Sequence, residues 1–154
     1  PGGVNDAFAA ALGLEDPGPL GDPEGLCRVG TLQSPMPLQD FARKVCRDLH
    51  ANGVRFAGCG KMVHRVAVGG GACGDYEDWA IAAGCDTFVT ADLGYHQFLD
   101  AAGKGVNLID AGHFPTEDPV CARLISYLTE QFPELTVFKS ASHREVIQYY
   151  VEGE

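Results

Sequence analysis

A chain of 154 residues and 16.4 kDa is long enough to bury roughly 70% of its extended surface in one domain. Its 45% hydrophobic and 21% charged residues exclude wholesale disorder. Eleven Lys and Arg against 21 Asp and Glu give a net charge of −10. That charge argues against nucleic acid and anionic membrane as partners and leaves cations open.

Taken in order, Asn5 reads as the cap of a short helix over Asp6–Leu12 that stops at Gly13. The run Glu15–Pro23 is made of turn residues that suit neither a helix nor a central strand, so a loop or inter-subunit arm is expected there. Leu26–Leu32 reads as a short edge strand. The first 35 residues thus form a Pro/Gly-rich arm with a short helix and an edge strand, and residues 36–154 an α/β half-domain of the same single domain.

From Pro37 the pattern sharpens. Leu38, Phe41, Ala42, Val45 and Leu49 recur at helical spacing, with Pro37 suited to the first helical position. Strands are expected at Val54–Ala57, Arg65–Val68, Thr87–Thr90, Val106–Ile109 and Leu135–Phe138. Helices are expected over Tyr76–Ala83, over Tyr95–Ala102 and from Pro119, the last capped by Asp118 and burying Val120, Leu124, Ile125 and Leu128. This alternation predicts an α/β fold: three layers, a largely parallel or mixed sheet, and helices on both faces. No apolar run approaches the ~18 residues of a membrane span and Pro1–Asp6 lacks the basic start of a signal peptide, so a cytoplasmic protein is expected. Six cysteines without a C-x-x-C pair read as reduced thiols used as small hydrophobes.

In a parallel sheet, ligands bind beyond the carboxyl ends of the strands, and polar residues gather there. Gly69–Asp75 follows one expected strand, Ala91–His96 the next and Asp110–Glu117 the third. His113 and Glu117 stand before the Asp118 cap, on a loop that Gly112 and Pro115 fold. An imidazole and a carboxylate there suit zinc, manganese or ferrous iron; the plainer reading is a surface histidine and a helix-capping acid. His96 reads either as a substrate-facing group or as the polar tip of a first helical turn. Asp92 and Asp110 end their strands, where each suits capping the next helix or orienting a metal-bound histidine. His50 suits a helix C-terminus, and His64 and His143 read as surface residues. Gly69, Gly71 and Gly74 make a G-x-G-x-x-G run, which keeps a dinucleotide loop open as an alternative.

Val66–Asp75, Thr87–His96 and Asp110–Glu117, in this order, resemble the C-terminal motifs of the Nif-three-like family, whose members often carry the name GTP cyclohydrolase I type 2 homologue. Gly2–Ala7 resembles a segment from the middle of that family. The resemblance implies a dinuclear metal site, two similar halves, and assembly as a toroidal homohexamer. By position His113 and Glu117 match two metal ligands, and His96 matches a pocket histidine with an acid–base role. The family's paired-histidine motif, and its aspartate ahead of the Gly-Gly-Val-Asn-Asp segment, have no counterpart here. The chain therefore reads as a C-terminal portion, with His113 and Glu117 as half of a site. The activity implied is that of a metal-dependent hydrolase on a nucleotide-like small molecule; a non-catalytic metal-binding or assembly module is the alternative.

Overall fold

The computed structural model describes residues 2–150. Its sheet is built on three strands that carry apolar side chains on both faces: β4 (Val63–Val68), β5 (Thr87–Thr90) and β6 (Asn107–Asp110). They run parallel, with Val68 beside Val89 and Val89 beside Ile109. Strands buried on both faces need helices above and below, and two cores follow from the two-residue period. Val66, Val68, Val89 and Ile109 pack under α1 (Val4–Ala11) and α2 (Leu38–Asp48), against the fully buried Phe8 and Phe41. Ala67, Phe88 and Leu108 face the other way, against Ala80 of α3 (Glu77–Ala82) and Ala101 of α4 (Tyr95–Lys104). The fold is the expected three-layer α/β arrangement with a mixed sheet.

Three antiparallel strands complete that sheet. β1 (Glu15–Pro19) pairs with β2 (Arg28–Met36), β2 with β4, and β3 (Arg55–Ala57) with β6, giving the order β1-β2-β4-β5-β6-β3. Two expectations are corrected here. The run from Glu15 is a strand rather than a loop, and β2 is flanked on both sides rather than at an edge. Pro17 and Pro19 are tolerated because β1 is itself the edge, where missing donors face away from the ladder. A register shift between Glu15 and Gly18 absorbs the turn residues. Gly30 opposite is required by the close approach: a Cβ there would lie 2.9 Å from the Glu15 carbonyl oxygen.

Helix starts differ in detail from expectation. Gly3, not Asn5, precedes α1, and Asp6 reaches back to accept from the Gly2 and Gly3 amides. Pro37 is the residue before α2 rather than its first. α4 runs on through Gly103 to a left-handed Gly105. The chain then makes a short helix α5 (His113–Glu117) and α6 (Pro119–Gln131).

The end of the chain departs most. None of Val120, Leu124, Ile125 and Leu128 is fully buried, and Leu124 is 52% exposed. α6 packs against α1 and α5, so only part of its apolar stripe meets protein. Leu135–Phe138 is not a strand: it pairs with neither outer edge of the sheet, at β1 or at β3, and Leu135 and Phe138 stand exposed. Among the described residues no helix is long and apolar enough to cross a membrane.

Candidate metal centre

Because β4, β5 and β6 are parallel, their carboxyl ends deliver three turns to one rim: Gly69–Gly71, Ala91–Leu93 and Ala111–Gly112. The glycine turn is fixed by hydrogen bonds from three side chains. The Thr90 hydroxyl donates to the Gly71 carbonyl at 3.0 Å and accepts from the Cys73 amide at 3.1 Å. The buried Thr116 hydroxyl accepts from the Gly71 amide at 2.9 Å and donates to the His113 carbonyl at 2.8 Å. Asn5 accepts from the Gly70 amide at 2.6 Å and donates to the Leu26 carbonyl at 2.8 Å.

On this frame His113 is the first residue of α5 and Glu117 the last, so they share a helix face rather than a loop as expected. His113 Nε2 lies 3.5 Å from Glu117 Oε1, while Nδ1 lies 2.5 Å from Asp92 Oδ2. The two ring nitrogens therefore have separate partners. Asp92, in the left-handed region at φ 57°, accepts from Nδ1–H and fixes the tautomer that leaves the Nε2 lone pair facing Glu117. Two N/O ligands at 2.0–2.2 Å from one tetrahedral cation would be about 3.4 Å apart, so the pair fits a shared ion.

Gly71 keeps this space open. At φ 65° it adopts a conformation that favours glycine, and a Cβ would sit 2.8 Å from Glu117 Oε1 and 3.1 Å from His113 Nε2. The donor set and the cradle beneath it both suit a divalent cation. His113 and Glu117 are each about half exposed, at 48% and 47% of their side chains, and as two donors they are fewer than the four a tetrahedral cation takes.

The other expected residues have different places. Asp110 makes no hydrogen bond to His113. It is 6% exposed, pairs with Arg55, and accepts from the Leu93 amide at 3.0 Å and the Gly112 amide at 3.0 Å. It thus ties together the turns that present Asp92 and His113, and acts on the site through backbone rather than by orienting the imidazole. His96 is exposed on the first turn of α4, its ring edge-on to Tyr95, with no hydrogen bond to His113, Glu117 or Asp92 among the described residues. His50 takes φ 53° just past α2, in the position usually given to glycine.

The dinucleotide alternative fails on the glycine run itself. The amides of Gly69, Gly70, Gly71 and Cys73 are bonded to Val89, Asn5, Thr116 and Thr90, which leaves none of the four for a pyrophosphate, and the Glu117 carboxylate stands over Gly71. All six cysteines are free thiols, as expected. Cys27 and Cys73 meet below this loop, where their mutual hydrogen bond and burial push the Cys27 thiol up from its ordinary value.

Sequence reasoning missed Asn5, Gly71 and Thr116 as parts of the site, and His143 as part of a cluster. Asn5 reads as an ordinary helix cap and Thr116 only as one residue of a strand-end loop, and only the fold shows that they bond to the glycine turn. His143 was expected alone on the surface; its Nε2 instead lies 3.4 Å from Asp118 Oδ1. The Asp118 side chain, expected to cap α6, makes no cap and bonds to Lys139.

The Asp92 carboxylate on Nδ1 holds His113 above its ordinary value of 6.5, and the Glu117 charge adds to the effect. A raised folded value means that this pairing stabilises the metal-free fold fully below 6.5 and is lost as pH rises through the raised value. A cation on Nε2 would compete with the proton, so its affinity would climb over the same interval. The Asp92→Asn variant is expected to titrate His113 at lower pH by NMR and to bind metal about 10–100-fold more weakly at the alkaline plateau. An unchanged His113 titration would show that Asp92 does not set it.

A mixed α/β sheet with a histidine–carboxylate pair at its carboxyl rim defines the class of protein. The model of the Duf34/NIF3 (NGG1p interacting factor 3) family matches residues 1–145, and the chain belongs to that family. It is 33% identical over 132 residues to a Nostoc protein named "GTP cyclohydrolase 1 type 2 homolog", covering 82% of this chain and 50% of that one. A Streptomyces coelicolor protein of the same name is 41% identical over 130 residues, covering 77% and 46%. Among solved structures, Staphylococcus aureus "hypothetical protein SA1388" superposes with a TM-score of 0.86 at 26% identity, covering 97% of this chain and 65% of that one. The chain spans about half the length of these two relatives.

Proposed function

We propose that His113 and Glu117 supply part of a dinuclear divalent-metal site in a metal-dependent hydrolase of nucleotide-like small molecules. The observation that carries this reading is the His113 Nε2–Glu117 Oε1 pair at 3.5 Å, with Nδ1 held by Asp92 and the space beneath cleared by Gly71. Zinc, iron and manganese all suit the donor set. A divalent metal at such a site supplies Lewis-acid polarisation and makes water a stronger nucleophile. Within this chain Asp92 fixes the imidazole, Glu117 supplies negative charge, and Asp110 holds both turns in place. His96, on the helix that follows the Asp92 turn, is assigned as the substrate-facing acid–base group. The name shared by the Nostoc and Streptomyces coelicolor proteins supports a nucleotide-like substrate.

The test is the metal content of the purified chain. Relative to wild type, His113→Ala and Glu117→Ala are each expected to lose one equivalent of zinc or manganese at equal protein. Full retention by both variants would remove these residues as ligands.

A second reading, a module for self-association, is favoured by the apolar side chains left open at the chain's end. Leu124, Tyr127, Leu135 and Phe138 are all more than half exposed, an unusual density for a free surface. A homohexamer buries such faces between identical copies, and the mass in solution should be six times 16.4 kDa. A monomeric mass would rule this assembly out for the chain alone. Six free thiols support a reducing, cytoplasmic setting.

A further inference from the structure

We infer that Asp118, Cys121 and His143 form a second, separate metal site, of the kind that takes zinc or cobalt. Asp118 immediately precedes α6 and Cys121 is its third residue, so one helical turn places both side chains on one face. His143 arrives from the segment beyond α6. Its ring packs on Phe114 at 4.9 Å between centroids, and its amide donates to the Ser140 carbonyl at 3.1 Å. A carboxylate oxygen, a sulfur and an imidazole nitrogen then lie within 4.8 Å of one another.

The geometry selects a shared cation over a catalytic relay. In a relay the histidine uses one nitrogen for the thiol and the other for the acid. Here the same atom serves both: His143 Nε2 is 3.8 Å from Cys121 Sγ and 3.4 Å from Asp118 Oδ1. Around a tetrahedral zinc with ordinary bond lengths, sulfur and nitrogen stand about 3.6 Å apart and nitrogen and oxygen about 3.4 Å. The two spacings from His143 Nε2 are close to these values. Three protein ligands leave the fourth position open to water or to a further ligand.

One group opposes the cation directly. Lys139 Nζ lies 2.5 and 2.7 Å from the two oxygens of Asp118 and covers the Phe114 ring at 5.4 Å. Its ammonium offsets the carboxylate in the metal-free chain, so loading must displace Lys139 from Oδ1. The Cys121 thiol gives up its proton on binding, which makes affinity rise with pH. A bound ion would fasten the segment around His143 to the start of α6, one residue from Glu117.

The test is a cobalt(II) titration of the full chain, read in the near-ultraviolet thiolate-to-cobalt absorption that only a sulfur ligand produces. Cys73 lies near the His113 site, so Cys73→Ser and the His113→Ala/Glu117→Ala double variant are the controls. The band is expected in wild type and in both controls, and absent in Cys121→Ser. His143→Ala is expected to weaken binding at least tenfold. A band missing from wild type, surviving Cys121→Ser or vanishing with the His113/Glu117 pair would overturn the assignment. Hydrogen exchange on wild type avoids any folding defect of the variants: zinc should slow exchange around His143, and unchanged exchange at saturating zinc would also overturn it.

Discussion

Gly71→Ala is expected to abolish most metal binding at the His113–Glu117 pair while leaving the chain folded. Two costs arise, and they fall in different places. Holding alanine at φ 65° costs on the order of 1–2 kcal/mol of stability, a loss a domain of this size tolerates. The methyl group would stand 2.8 Å from Glu117 Oε1 and 3.1 Å from the His113 ring. Glu117 is the flexible end of a half-exposed side chain and yields cheaply in energy. Its departure destroys the bite that suits a cation. Isothermal titration with zinc or manganese should show affinity falling at least ~10-fold, comparable with losing a group that orients a ligand. Urea unfolding should report only the small backbone cost. A variant that binds metal like wild type would mean that the ion does not sit over Gly71.

Asp110→Ala is expected to produce the largest loss of stability among the rim variants, about 3 kcal/mol. Its carboxylate is 6% exposed and accepts from the Leu93 and Gly112 amides and from Arg55. Truncation strands two backbone donors and frees the turns that carry Asp92 and His113. Arg55→Ala should cost far less, about 1 kcal/mol or below, because the guanidinium is 55% exposed and the carboxylate keeps both amides. Chemical denaturation of the two variants measures the difference directly. Equal losses would show that the ion pair, rather than the amide cradle, carries the effect.

The parallel heart of the fold was legible in the sequence because its signals are local. Thr87–Thr90 is bounded by Gly84 and Gly94, and a run of four buried residues between such breakers has few alternatives. The strand-end position of His113, Glu117 and Asp92 followed from the same alternation. The edges were not legible. Pro17, Gly18 and Pro19 forbid a central strand and say nothing against an edge, so β1 was read as a loop. Leu135–Phe138 has the composition of a strand, but a strand needs a neighbour to pair with, which composition does not supply, and this segment joins neither β1 nor β3. The partners of Asp110 could not be inferred either. An acid at a strand end serves a helix cap, a metal-bound histidine or a neighbouring turn equally well, and only the approach of Arg55 and the Leu93 amide decides. Asn5 and Gly71 are 66 positions apart in the chain, a separation at which local pattern carries no information.

The most direct test is a crystal soaked in zinc or manganese, with anomalous scattering used to place the ion. It should lie about 2.0–2.2 Å from His113 Nε2 and one oxygen of Glu117, with Asp92 still bonded to Nδ1. An ion bound through Nδ1, or a rim without anomalous density at full soaking, would contradict the assignment of this pair.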